Sequence, residues 1–267
     1  KTGKDANRGG PQGKEYFSPP QANGFDVCFS TESKVPTWNP MDKPKVDARR
    51  TWWDISDDTE PYGTAYWDEK GRRVTKNLAG ANSRVILDRA IPFMRSAAQK
   101  EQPFFTIVWF HTPHLPVVAG PEYARMYADE DKYTQHYRGC ITAMDEQVGR
   151  LRTELRAMGV ANNTLVTFCS DNGPEGKAGS APGSAGHLNG RKRDLLEGGI
   201  RVPGLIEWPG KIRPGNTTMP AVTSDYLPTI LDLIGAKPVG DRPLDGISLR
   251  PLFNGAMKNR GQSIGFQ

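Results

Sequence analysis

Two short apolar runs with one long amphipathic repeat between them set the strongest limit on how this chain can fold. Residues 104–110, FFTIVWF, follow Pro103, are rich in β-branched and aromatic side chains and stop at His111, which predicts a strand buried on both faces. Over residues 133–158, Tyr137, Cys140, Ile141, Met144, Val148, Leu151, Leu155 and Met158 recur at helical spacing, and Gly159 is a natural stop. Residues 165–169, LVTFC, then read as a second buried strand. Strand, helix and strand in that order predict an α/β fold, a mostly parallel sheet flanked by helices and joined by right-handed crossovers.

The remaining elements fit this scheme. Asn82 or Ser83 is placed to cap a helix whose apolar face uses Val85, Ile86, Ala90, Ile91, Phe93, Met94 and Ala97, ending near residues 99–102. Residues 202–208 read as another buried strand, closed by Pro209 and Gly210, and residues 226–234 as a helix ending at Gly235. Residues 1–61 are rich in Pro, Gly, Ser, Asn and Lys and read as long ordered loop, with Phe25, Val27, Phe29, Trp38, Trp52 and Trp53 packing it onto a domain. A length of 267 residues suits one large domain or two small ones, and no apolar run is long enough to cross a bilayer.

Charge and cysteine content narrow the function classes. The formal charge is +5, and the basic residues are scattered apart from Arg191, Lys192 and Arg193. That argues against a nucleic-acid groove, while a mild positive field suits an anionic substrate. Cys28, Cys140 and Cys169 form no CxxC pair, so neither a disulfide framework nor a zinc site is expected, and Cys140 and Cys169 read as small apolar fillers.

Three loops carry the chemistry. The strand over residues 165–169 runs into Ser170, Asp171, Asn172 and Gly173, which sets a carboxylate and an amide at a strand's carboxyl end, the edge where α/β sheets bind ligands. Asp171 and Asn172 offer hard oxygen donors suited to Ca²⁺ or Mg²⁺ rather than zinc; Asp-Asn-Gly is also good turn chemistry in its own right. In HTPHLPV, His114 lies between Pro113 and Pro116, whose rigid backbones hold its imidazole in one direction, whereas His111 reads as structural. In GRKRDLLEGGIRVP, Lys192 stands between loop and strand. A pocket combining Lys192 and His114 with a metal on Asp171 and Asn172 would bind an oxyanion and stabilise charge building on it.

At these loops the sequence resembles the type I sulfatase family of the alkaline-phosphatase superfold. FFTIVWFHTPHLPV, the long helix, LVTFCSDNGPE and GRKRDLLEGGIRVPGLIEWPGKI occur in the family's order and intervals, and NGFDVCFST, SRVILDRAI and LDGISLRPLFNG extend the likeness over nearly the whole chain. The resemblance implies hydrolysis of sulfate esters of small molecules or carbohydrates. It also implies one Ca²⁺ held in part by Asp171 and Asn172, with His114 contacting the ester beside its bridging oxygen. Lys192, five residues before Glu197, corresponds to a lysine that binds a sulfate oxygen.

The same resemblance implies a formylglycine nucleophile made from a Cys or Ser in a C/S-x-P-x-R motif. None of the cysteines has that context, and SAPGS at Ser180 lacks the arginine, so the nucleophile is expected upstream of residue 1. The family's early aspartate pair, the arginine after the nucleophile and a GKWHLG-like segment are not found either. Residues 1–240 are accordingly expected to be the second half of the catalytic domain, with 241–267 the start of a carboxyl-terminal subdomain, and the isolated chain is expected to be inactive. A phosphatase or phosphonate hydrolase of the same superfamily, or a non-catalytic anion-binding homologue, are the alternatives. The family habit points to a periplasmic or secreted protein, for which the N-x-T sequons at Asn162 and Asn216 matter in a secretory eukaryotic host. Oligomeric state and natural substrate stay open, although the Trp and Lys residues within 35–76 suit sugar stacking.

Overall fold

A computed structural model describes residues 19–31, 33–45 and 58–266. The chain divides into two compact units, residues 1–158 with 177–182, and residues 159–176 with 183–267.

In the first unit, short strands pair before the helices begin. β1 (Phe29–Thr31), β4 (Tyr66–Asp68) and β5 (Arg73–Val74) form an antiparallel sheet in the order β1-β4-β5, and β2 (Asp42–Pro44) pairs antiparallel with β3 (Thr59–Pro61). The stretch up to residue 61 was expected to be loop throughout; strands of three residues are too short to display an alternating pattern. Trp52 and Trp53 lie outside the described residues. Phe29 stacks on Tyr66 at 4.1 Å, and Val35, Tyr62, Tyr66 and Val85 form a buried cluster.

Helix α1 (Asn82–Gln99) spans the expected range, but its start is built differently. Asn82 and Ser83 do not cap it. Both are buried, Asn82 Nδ2 donating to Tyr66 Oη at 2.6 Å and Ser83 Oγ to the Ala143 carbonyl at 3.3 Å, so their polar groups tie α1 to its neighbours. Val85, Leu87, Ile91, Met94 and Ala97 are buried on its inner face, where each large aliphatic side chain contributes about 2 kcal/mol.

Helix α3 (Lys132–Ala157) follows the single-turn helix α2 (Pro121–Arg125) and is capped by Asp131, whose carboxylate accepts from Tyr133 N at 2.9 Å and Thr134 N at 3.2 Å. Its innermost stripe is rotated from the apolar one. Gln135, His136, Gly139, Cys140, Ala143, Gln147 and Leu155 are buried, so Cys140 and Leu155 of the expected stripe hold, while Ile141, Met144, Val148 and Leu151 are half-buried at the flanks. The cause is the close approach of the chain near Ala119. A Cβ on Gly139 would lie 2.7 Å from the Ala119 Cβ, and Ala119 N donates to His136 Nδ1 at 3.0 Å. Cys140 packs with Val117 and Ala119 as a filler, and burial pushes its thiol up to about 12.

Residues 104–110 depart from expectation. They join no ladder among the described residues, and their side chains alternate between half-buried and exposed, with Phe105 and Ile107 exposed and Trp109 83% exposed. β-type composition supplies an extended segment, but a strand also needs a second backbone to accept and donate its hydrogen bonds.

In the second unit, β6 (Val166–Cys169) pairs with β7 (Gly204–Glu207), Val166 opposite Glu207 and Cys169 opposite Gly204. The α/β class stands, but this ladder is antiparallel, as is every ladder among the described residues, where parallel pairing was expected. The segment joining β6 to β7 carries just the single-turn helix α4 (Glu197–Ile200), so no crossover helix imposes a parallel return. Nor is β7 buried on both faces, Leu205 being 63% exposed. Helix α5 (Tyr226–Ile234) ends as expected at Gly235, in the left-handed region with φ +70. The last helix, α6 (Arg250–Phe253), leads to Arg260, which forms a buried bidentate pair with Asp225 just ahead of α5. Among the described residues no helix is long and apolar enough to cross a membrane.

Candidate functional site

The four site residues fall in both units: His114 in the first, and Asp171, Asn172 and Lys192 in the second.

His114 sits on the exposed loop after residues 104–110, where its backbone N donates to the His111 carbonyl at 2.7 Å. Its Nδ1 lies 2.7 Å from the Leu115 carbonyl. A carbonyl can only accept, so Nδ1 carries the proton and Nε2 is the ring nitrogen left for a ligand. Stiffness from the prolines and this hydrogen bond together fix the imidazole.

His111 behaves as the structural residue it was expected to be. It is half-buried, its ring meets Tyr66 edge-on at 6.5 Å, and Nε2 is 3.4 Å from Thr31 Oγ1. Burial first, and the neighbouring His114 second, bring its pKa down to about 4, which keeps it neutral near pH 7. Because the folded value lies below the ordinary 6.5, the stabilisation is full above pH 6.5 and is lost as pH falls toward 4, amounting to at most about 3 kcal/mol. Thermal midpoints measured from pH 7 to pH 4 are expected to fall less steeply for His111→Phe than for the parent; superimposable profiles would remove His111 as a source of acid sensitivity.

In the second unit the SDNG turn and the lysine loop form one piece of backbone. Gly173 N donates to the Gly199 carbonyl at 2.8 Å, and Gly198 N to the Asn189 carbonyl at 2.6 Å. A Cβ on Gly173 would come within 1.9 Å of the Gly198 carbonyl oxygen, so the two turns approach to a distance that glycine alone permits. Within the first turn, Ser170 Oγ donates to the Asn172 carbonyl at 3.1 Å and Asn172 Nδ2 to the Gly173 carbonyl at 2.8 Å. The second contact leaves the Asn172 Oδ1 as that side chain's acceptor. Asp171 is exposed beside it.

Lys192 is anchored to the segment that leaves this turn. Its backbone N donates to the Pro174 carbonyl at 3.1 Å, and its Nζ lies 3.8 Å from Glu175 Oε2 with the side chain 22% exposed. Arg193, at the uncommon φ of +82 for a side-chain-bearing residue, reaches the other oxygen of Glu175 at 2.6 Å. Arg191 donates to the carbonyls of Glu175 at 3.0 Å and Gly183 at 2.7 Å. The hydrogen bond from Arg193 is the main reason the Glu175 carboxyl stays below its usual range. Arg191 and Arg193 stood out from the sequence only as part of a basic cluster and Glu175 not at all; loop residues show no periodicity to reveal that they meet.

Among the described residues no group of three or more His, Cys, Asp or Glu side chains is placed to hold a metal ion. Asp171 and Asn172 have the hard oxygen chemistry that Ca²⁺ takes, but they offer two donors where Ca²⁺ binds six to eight, so they fit as part of a set.

The fold is the alkaline-phosphatase-like α/β type seen in sulfatase structures. Ps i-CgsB, solved in complex with k-i-k-neocarrahexaose, matches with a TM-score of 0.75 and 27% identity, over 91% of this chain and 52% of that one. The chain belongs to the sulfatase family, whose family model, described as Sulfatase, matches residues 17–236. It is 37% identical over 173 residues to human arylsulfatase A, covering 65% of this chain and 33% of that protein. Over 248 residues it is 29% identical to mouse N-acetylgalactosamine-6-sulfatase, covering 90% of this chain and 44% of that protein. The chain thus spans between a third and about half of the length of these three proteins.

Proposed function

We propose that this chain supplies part of the site of a sulfate-ester hydrolase acting on sulfated small molecules or sulfated carbohydrates. The observation that carries the reading is the backbone lock between the SDNG turn and the Lys192 loop, which sets two oxygen donors and a half-buried ammonium in one rigid piece of a sulfatase-family chain. Lys192 binds a non-bridging sulfate oxygen, orients the group and offsets its charge as the nucleophile approaches, while the charge released as the S–O bond breaks falls on the departing bridging oxygen. His114, with Nδ1 tied to the Leu115 carbonyl, presents Nε2 to the bridging oxygen and, when protonated, donates to the departing alcohol. Asp171 and Asn172 contribute their oxygens to a Ca²⁺ site, and bound Ca²⁺ supplies positive charge to the sulfate group. The nucleophile is assigned to a formylglycine hydrate outside this chain. Carbohydrate substrates are favoured by the kinship with N-acetylgalactosamine-6-sulfatase and with the neocarrahexaose-bound structure. An exported location, periplasmic or secreted, goes with the calcium requirement.

The test is the release of sulfate and of phosphate from matched aryl esters by the full-length protein, before and after chelation. Faster sulfate release, lost on chelation and restored by Ca²⁺, is expected. Faster phosphate release, or turnover indifferent to chelation, would overturn the corresponding half of the proposal.

A further inference from the structure

We propose that Glu175 is a positioning residue that holds the Lys192 ammonium in register with the SDNG turn; this deepens the functional reading above and rests on the role given there to Lys192. Three consecutive residues are each fastened to the two that follow the turn. Arg191 donates to the Glu175 carbonyl at 3.0 Å, Lys192 N to the Pro174 carbonyl at 3.1 Å, and Arg193 Nη1 to Glu175 Oε1 at 2.6 Å. Pro174 and Glu175 lie immediately beyond Gly173, whose own N–H is bonded to the Gly199 carbonyl at 2.8 Å. The lysine is therefore referenced to the turn through residues 174 and 175 on one side and residues 198 and 199 on the other.

The charges show why a carboxylate belongs here. Arg191, Lys192 and Arg193 would repel one another if left alone on adjacent residues. Glu175 lies between two of them, but unequally: Arg193 is hydrogen-bonded at 2.6 Å, whereas Lys192 stands off at 3.8 Å from the other oxygen. Arg193 thus takes most of the neutralisation, and the Lys192 ammonium is aligned while keeping charge for an anion. Its side chain is only 22% exposed, so few alternative rotamers lead to water. The left-handed backbone of Arg193, φ +82, is a strained conformation retained where surrounding contacts over-determine it, and the Glu175 contact is one of these. Arg191 contributes differently, its guanidinium being spent on two carbonyls that brace the loop from behind.

A double-mutant cycle in the full-length protein separates positioning from simple structural support. With sulfate release from a small aryl sulfate as the readout, Glu175→Ala is expected to lower kcat/KM about tenfold, and to change it less than about twofold when Lys192 is already alanine. A merely structural role predicts the same loss in both backgrounds, and that result would overturn the inference. So would a Glu175→Ala enzyme with normal turnover. If Glu175→Ala does not fold, Glu175→Gln completes the cycle, since it keeps a group for Arg193 and removes the charge facing Lys192. Normal turnover by Lys192→Ala alone would instead show that the underlying assignment of Lys192 fails, an outcome distinct from additive losses.

Discussion

Replacing Lys192 with alanine is expected to lower sulfate release by the full-length protein by about 10²-fold, chiefly in kcat. The ammonium is half-buried and its backbone is bonded to Pro174, so water entering the vacated space restores little of the lost field. Lys192 orients the sulfate for attack and offsets the repulsion between its oxygens and the incoming nucleophile, a contact used most as the transition state is reached, so its loss is felt more in turnover than in KM. Lys192→Arg is not a safe substitute. A planar fork distributes its charge over a different geometry and competes with Arg193 for the Glu175 carboxylate. Steady-state kinetics on an aryl sulfate decide the matter, and turnover within about twofold of the parent would remove Lys192 from the site.

The second large effect concerns stability. Arg260 grips Asp225 with two hydrogen bonds of 2.7 Å, and the two side chains are 8% and 0% exposed. The same carboxylate accepts from Val222 N and Ile247 N, each at 2.9 Å, and so ties the start of α5 to the segment before α6. Arg260→Ala leaves this buried carboxylate without its counter-charge and should cost about 3–5 kcal/mol. In a chain of this size that corresponds to a fall in thermal midpoint of roughly 10 °C.

The pH dependence follows with a definite sign. Burial works to raise the Asp225 pKa, but the bonds from Arg260, Ile247 and Val222 outweigh it and hold the carboxyl below its usual range. A folded pKa below the unfolded one means that the contribution is present above the ordinary carboxylate pKa and disappears as pH falls through the folded value. In Arg260→Ala the burial effect is less opposed, so the onset of acid unfolding should move to higher pH. Melting curves at pH 7 and across the acid range test both parts, and a variant melting within about 1 kcal/mol of the parent would show the pair to be dispensable.

How much was legible beforehand depends on how far apart the interacting residues lie. α1, α3 and α5 were readable because a helix closes its hydrogen bonds within four residues and shows its apolar face at a fixed period; Gly235 even ends α5 as expected. The ordered motifs around His114, Asp171, Asn172 and Lys192 were equally visible, since they are strings of neighbours, and they pointed to the family that the match over residues 17–236 establishes. By contrast, the polar lining of α3 was hidden: His136 finds its partner at Ala119 on another segment, and Gln135 turns back to the Glu130 carbonyl just ahead of the helix, a contact that apolar periodicity does not mark. The tasks of Asn82 and Ser83 were misread for the same reason: a capping side chain and a tertiary tie use the same residue types.

The local order of helices, turns and chemically loaded loops was thus determined by the amino-acid sequence itself, because each is written in residues a few positions apart. Tertiary structure alone decided that β6 and β7 run antiparallel, that Trp109 faces outward, that Glu175 joins the SDNG turn to Lys192, and that Asp225 finds Arg260. Ladders, burial and ion pairs of this kind depend on which distant segments meet, and no spacing along the chain encodes that meeting.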